Sequence, residues 1–405
     1  MPFVKRLFCY GFWCISGCMN SNKLMVLASG LSYPPNEGLH EQFLQTLENL
    51  IKFKESGGLI MDLIVVSKAA EDFDKETFCS KFPQVDSLHV IICRLKYPFL
   101  MAKCFIFPML FFSSVLGERG NYAYVYIEGI PLAPLIRYFG HCSIIMSGLD
   151  AWSLRQRRLS RKSRGMRKFF LYVYAMFSLW VEKKFYKKAT CVHLVSPVDA
   201  RYYRRVLGIS NIAVIPVSVQ DERRREHSAA GNYVVFWGDI RVRYIRAGLD
   251  LLLNDVWPSI SECMPNVSLI ALTRMIPDMG MTGDGQRNVR FLEWCDDIDT
   301  LLSNARIILL PDMAGTGLKN RTIRALASGR PVIGSRFALE GIPVKAGIDA
   351  FLAKNKMEFI EKIKLLLNDT ALADAMGQSA RKFVSDNYSS MSVNQQWMDL
   401  FSRIF

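Results

Sequence analysis

Short runs of aliphatic and β-branched residues recur along the chain, separated by stretches in which apolar positions fall at helical spacing. The first run, 24–29, is followed by the turn-rich SYPPNEG and a helix pattern over 39–53. Further strand-like runs lie at 61–67, 88–94, 122–127, 142–147, 191–196 and 213–217. A second series occupies 233–237, 267–271, 289–291, 306–310, 331–334 and 350–352. Between the series, QDERRREHSAAGN (220–232) is charged, then small and polar, and lacks apolar periodicity, so it reads as a linker. Short apolar strands alternating with helices predict parallel sheets covered on both faces. The pattern therefore predicts two doubly wound α/β domains, 22–219 and 233–389, after an extension over 1–21. An amphipathic helix over 390–405, carrying Trp397, Leu400, Phe401 and Phe405, follows them.

The length supports this division, since 405 residues exceed what one compact core usually organises. Half of the residues are hydrophobic, which excludes a disordered chain. Two open sheets joined by one linker leave a crevice at the carboxyl ends of their strands, where ligands bind in such folds.

Charge adds a partner class. The formal charge is +14, which suits an anionic partner. Eight of the fourteen residues in 155–168 are Lys or Arg, with no acid among them. They run into FFLYVYAMFSLWV (169–181) and then KKFYKK (183–188). A basic arm beside an aromatic helix has the composition of a peripheral membrane contact, so 155–188 is expected to meet a membrane surface. No nucleic-acid module accompanies the basic residues, and nucleic acid is not an expected partner. The run 97–117 is interrupted by Lys103 and Pro108 and reads as a buried helix rather than a membrane span. Ten cysteines occur without a C-x-x-C pair, as expected of reduced thiols in a cytoplasmic protein. Two D-x-D strings, Asp72–Asp74 and Asp297–Asp299, sit in a charged run and at a helix start, so neither is expected to hold a metal.

The chemistry concentrates in 306–335, RIILLPDMAGTGLKNRTIRALASGRPVIGS. An apolar strand ends at Pro311, the loop AGTG follows, and a helix pattern begins near Lys319. Glycines let backbone N–H groups approach a ligand, and a helix N-terminus carries partial positive charge. Lys319 adds a full charge, so the segment suits a pyrophosphate. It is not a Walker A loop, because the G-x-x-x-x-G-K-[ST] spacing is absent.

Residues 307–342, with GTGLKNRTIRALASGRPVIGS and FALEGI, closely resemble the donor-binding core of family 4 glycosyltransferases, in the bacterial branch whose loop reads G-T-G-x-K-x-K. Looser likeness extends to YPPNEG, GLDAWSLRQRRLS, LVSPVDARYYRRV and SARKFVSDNYS. The resemblance implies a GT-B fold of two Rossmann-like domains facing across a cleft, with 390–405 crossing back to the first. It implies transfer of a sugar from a nucleotide-sugar donor to a saccharide or lipid-linked saccharide acceptor, with retention, in bacterial surface polysaccharide synthesis at the inner membrane face. The nucleotide sugar is then a substrate, and no cofactor or metal is expected. A non-catalytic GT-B subunit scaffolding a partner transferase is the alternative.

The same resemblance assigns roles. Lys319, with backbone N–H groups around Gly315, Thr316 and Gly317, would stabilise the departing diphosphate, joined by Arg243. Glu340 would face the donor, and Gly38 would let the first loop approach it. Asp150 is expected to contact an acceptor hydroxyl or act as base, with Glu128 a weaker candidate. Many family members carry glutamates at the positions of Thr316 and Arg324, the second of which binds the donor ribose. Arg324 departs from that pattern and is expected to meet a phosphate or uronate.

Overall fold

The computed structural model describes residues 22–35, 38–94, 100, 122–219, 231–274, 288–294, 297–315 and 317–405. The extension, most of the linker and the 97–117 run lie outside these residues, apart from Leu100, which is buried.

The first domain is a seven-stranded parallel sheet in the order β3-β2-β1-β4-β5-β6-β7. Its strands are β1 (Lys23–Ser29), β2 (Ile60–Ser67), β3 (Ser87–Ile92), β4 (Tyr124–Glu128), β5 (Ser143–Leu149), β6 (Cys191–Leu194) and β7 (Ile212–Val214). The helices between them are α1 (Gly38–Gly57), α2 (Lys75–Lys81), α3 (Trp152–Lys162), α4 (Gly165–Phe185) and α5 (Pro197–Tyr202). Central strands are apolar on both faces because both are covered: Leu24 to Ala28 of β1 are all buried.

The second domain is a six-stranded parallel sheet in the order β10-β9-β8-β11-β12-β13. It comprises β8 (Tyr233–Trp237), β9 (Ser268–Thr273), β10 (Val289–Glu293), β11 (Ile307–Leu310), β12 (Val332–Gly334) and β13 (Phe351–Leu352). Its helices are α6 (Arg243–Leu251), α7 (Trp257–Cys263), α8 (Ile298–Ser303), α9 (Asn320–Ala327), α10 (Lys356–Asn368) and α11 (Thr370–Tyr388). Each sheet reverses its winding once, between β1 and β4 and between β8 and β11, and those switch points open towards the crevice.

The final helix, α12 (Ser390–Ile404), packs on the first domain. Trp397 lies against His193 and Tyr126, with ring centroids 4.5 and 6.4 Å apart, and Phe401 and Phe405 meet Phe53. Packing these aromatic rings there ties the end of the chain to the first domain.

The two D-x-D strings have structural employment. Asp74 caps α2 by accepting from the Thr77 N–H at 3.1 Å, and Asp299 pairs with Arg324. Among the described residues no group of three His, Cys, Asp or Glu side chains gathers to hold a metal.

Candidate active site

The carboxyl end of β5 is irregular. Its register with β6 shifts between Ser147 and Leu149, and Leu149 adopts φ of 54°, an uncommon conformation for a residue with a side chain. That turn sends Asp150 away from the sheet and towards the second domain. Across the crevice, β11 ends at Leu310 and the loop to α9 carries Gly315 and Gly317, at φ of 151° and 71°. A methyl group on Gly317 would collide with both carboxylate oxygens of Asp150, and one on Gly315 would lie 2.8 Å from Lys319 Cε. Glycine is thus required for the loop to receive both side chains. Lys319 Nζ donates to the Gly317 carbonyl at 3.2 Å. Thr316 lies outside the described residues.

Helix α3 supplies two further cations. Arg158 Nη1 lies 2.8 Å from Glu340 Oε2 and 3.5 Å from the Gly315 carbonyl, bridging the domains. Arg155, one turn earlier, lines the crevice with its guanidinium 4.8 Å over the Trp152 ring. The stretch 155–168, read from sequence as one surface arm, is therefore divided: Arg155 and Arg158 turn inward, whereas Arg157 and Arg161 on the same helix are exposed. Arg155 and Arg158, three apart, share the face towards the crevice, Arg157 points away from it, and Arg161 lies at the far end of the helix.

Asp199, in the first turn of α5, completes the cluster. The sequence carried its signal in the V-S-x-x-D segment, but without a role. Asp150, Asp199 and Glu340 face Arg155, Arg158 and Lys319, so three acids meet three cations in a largely desolvated space. Burial raises the Asp150 carboxyl, against the pull of Arg155 and Lys319. Burial, and then the Asp150 charge, raise Asp199. Burial lowers the Lys319 ammonium, while Glu340 and Asp150 oppose that shift. This balance leaves the cations ready to exchange a carboxylate for an incoming anion.

Beside the cluster, at the switch point between β1 and β4, lies a pocket lined by Ser29, His40, Glu128, Asp150, Trp152 and Arg155, among others. His40 Nδ1 is 2.7 Å from Ser32 Oγ. Glu128 is 5% exposed and accepts a hydrogen bond from the Tyr126 hydroxyl at 2.8 Å. Burial pushes its carboxyl up to about 8, so at neutral pH it is mostly protonated. Gly38 begins α1, two residues before His40 of the pocket lining.

The remaining expected residues are placed differently. Arg243 is exposed at the start of α6 and does not join the cluster, although its neighbour Tyr244 reaches the Gly315 loop. The buried cation under the loop is Arg321, which donates to the Trp237 carbonyl at 2.6 Å and pairs with Asp312. It occupies the second basic position of G-T-G-x-K-x-K, the signal by which the sequence identifies it. Arg324 holds its guanidinium against Asp299. A carboxylate on a neighbouring helix already neutralises it.

Comparison with known proteins bears on the fold. Residues 231–369, most of the second domain, match the model of the family described as glycosyl transferases group 1. Among curated proteins nothing matches the chain. Among solved structures, Anabaena HepE in complex with UDP is 14% identical, with a TM-score of 0.66 over 94% of this chain and 99% of that one. Sucrose-phosphate synthase from Thermosynechococcus elongatus is 16% identical, with a TM-score of 0.70 over 95% and 99%. WaaG, a glycosyltransferase involved in lipopolysaccharide biosynthesis, is 12% identical, with a TM-score of 0.63 over 93% and 99%. At such identities the likeness is one of fold: the chain has the two-domain α/β GT-B architecture.

Proposed function

We propose that this chain transfers a glycosyl group, with retention at the anomeric carbon, from a nucleoside diphosphate sugar to a hydroxyl of a saccharide or lipid-linked saccharide. The observation that carries the reading is the meeting of Asp150 from one domain with Lys319 and Gly317 from the other. The family match over the second domain and the UDP held by a protein of the same fold support it.

Transfer breaks the bond between the anomeric carbon and the diphosphate oxygen and forms one to the acceptor oxygen. The demanding part is the charge left on the diphosphate. Lys319, Arg158 and the N–H groups at the start of α9 neutralise it, with Glu340 released from Arg158 to meet the sugar hydroxyls. The acceptor enters the pocket beside Trp152, and Asp150 receives its proton, a role that suits a carboxylate with a raised pKa. Protonated Glu128 donates a hydrogen bond to a second acceptor hydroxyl. No step in this scheme calls on a metal or cofactor. Assembly of a bacterial surface polysaccharide, from cytoplasmic nucleotide sugars, is the process that fits.

A calorimetric and thermal-shift survey of UDP-, GDP-, ADP- and CMP-sugars tests the reading. Binding of one donor class is expected, with slow donor hydrolysis that Lys319→Met abolishes. Absence of binding across the panel overturns it. Binding without turnover, even with saccharide acceptors, would favour the scaffolding subunit that Arg324 motivates.

A further inference from the structure

Helix α4 carries a stripe of exposed apolar side chains. Met166, Phe169, Phe170, Val173 and Met176, spaced one or three residues apart, are 69, 59, 63, 48 and 49% exposed. Its opposite face is buried against the first domain through Ala175, Ser178, Val181, Glu182 and Phe185. Solvent-facing aromatic residues in this number are unusual on a monomer surface. Around the N-terminal end of the stripe stand the exposed cations Arg157, Arg161, Arg164, Arg167 and Lys168, and Lys183 and Lys184 follow its C-terminal end. Between Asp150 and Glu182 the sequence contains no acidic residue at all.

We infer that the α3–α4 hairpin docks on an anionic lipid surface, with the α4 stripe entering the interfacial region and the flanking cations meeting lipid headgroups. Two features select this occupant. A stripe flanked at both ends by cations and free of acids complements a bilayer that is apolar within and negative at its face. A second copy of the chain fits poorly, because a twofold contact along the stripe would set the cations at one end of the helix against those at the other end of its copy. No described helix is long and apolar enough to cross a membrane, so α4 would lie along the surface.

The dock is wired to the crevice. On the buried face of α4, Glu182 accepts from the Ser153 N–H at 3.1 Å and from the Ser153 hydroxyl. Ser153 belongs to the first turn of α3, whose next turn presents Arg155 and Arg158 to the site. A surface that holds α4 therefore holds the cations of the crevice at a fixed height above the lipid. Resting on the glycosyl-transfer reading, the consequence is that the acceptor is one presented at a bilayer, a saccharide carried on a lipid.

Cosedimentation with vesicles of phosphatidylcholine containing about a quarter phosphatidylglycerol tests the dock directly. Binding is expected to these vesicles and not to phosphatidylcholine alone, and to weaken with salt. Arg161→Glu, Arg164→Glu and Arg167→Glu together should lower partitioning by at least a hundredfold, at about fivefold per cation. Phe169→Ser with Phe170→Ser should lower it through the apolar contribution instead. Neither variant touches the crevice, so nucleotide binding by calorimetry should persist in both, and circular dichroism confirms that each is folded. Equal binding to neutral vesicles, or unchanged binding by both folded variants, overturns the proposal. So does a dimer, seen in analytical ultracentrifugation, that Phe169→Ser with Phe170→Ser dissociates. Failure of nucleotide binding with vesicle binding intact would instead sink the glycosyl-transfer reading alone.

Discussion

Arg324 holds Asp299 by two parallel hydrogen bonds, Nε to Oδ1 at 2.6 Å and Nη2 to Oδ2 at 2.9 Å, with its guanidinium 5.5 Å over the Trp237 ring. Both side chains are about one-fifth exposed, and Trp294 stands beside Trp237 at 5.9 Å. In the family that the sequence resembles, a glutamate occupies the arginine's position on α9. Here the carboxylate comes instead from α8, and the arginine orients it.

The pair is expected to act as a unit. Arg324→Glu would set two carboxylates against each other and lower both stability and nucleotide affinity, whereas Asp299→Arg combined with it should recover part of the loss. A double-mutant cycle by chemical denaturation should return a coupling of about 1–3 kcal/mol. Additive single effects would show that the contact contributes little.

Two buried glutamates give stability a pH dependence of known sign. Burial raises Glu128 to about 8 and Glu182 to about 7, against an ordinary value of 4.5. The folded state therefore holds protons that the unfolded chain releases, and stability falls as pH rises from about 4.5 through those values. Glu182→Gln keeps the shape and removes this penalty, so the fall in stability between about pH 4.5 and 7 should shrink by on the order of 3 kcal/mol. A denaturation series in urea at several pH values checks the slope, and an unchanged slope would place the titration elsewhere.

Much of this was legible in the chain. All thirteen strands were visible as apolar runs because parallel strands covered on both faces are apolar throughout. The Gly315–Lys319 loop was legible for a local reason, since strand, glycine turn and helix follow one another directly. Arg158 was hidden inside a basic run whose charge count pointed to solvent, and nothing local marks it off from Arg157 and Arg161. Asp299 was beyond reach: its partner lies 25 positions away, and no local pattern joins α8 to α9.

The contact between Arg158 and Glu340 joins the domains where a donor would enter, so it is expected to hold the empty crevice closed. Arg158→Met should loosen the empty form, visible as a larger radius of gyration by small-angle scattering, and weaken diphosphate binding at least tenfold. Glu340→Gln should loosen the empty form as well but leave diphosphate binding nearly intact, because the cation remains. Identical effects of both variants on diphosphate affinity would contradict the division of roles.

Gly317 offers the sharpest separation of binding from chemistry. Alanine there is strained at φ of 71° and drives its methyl group into the Asp150 carboxylate, yet leaves Lys319 and the start of α9 in place. Gly317→Ala is therefore expected to bind nucleotide diphosphate within a few-fold of the parent while turnover falls by at least a hundredfold, since the two domains can no longer bring Asp150 to the loop. Lys319→Met should lower turnover by a similar or greater factor and also weaken the diphosphate itself, because the charge that stabilises the leaving group is gone. Steady-state kinetics beside calorimetry with the bare nucleotide distinguishes them. If Gly317→Ala turns over at the parent rate, Asp150 and the loop do not meet during the reaction, and the closed crevice is not the reacting form.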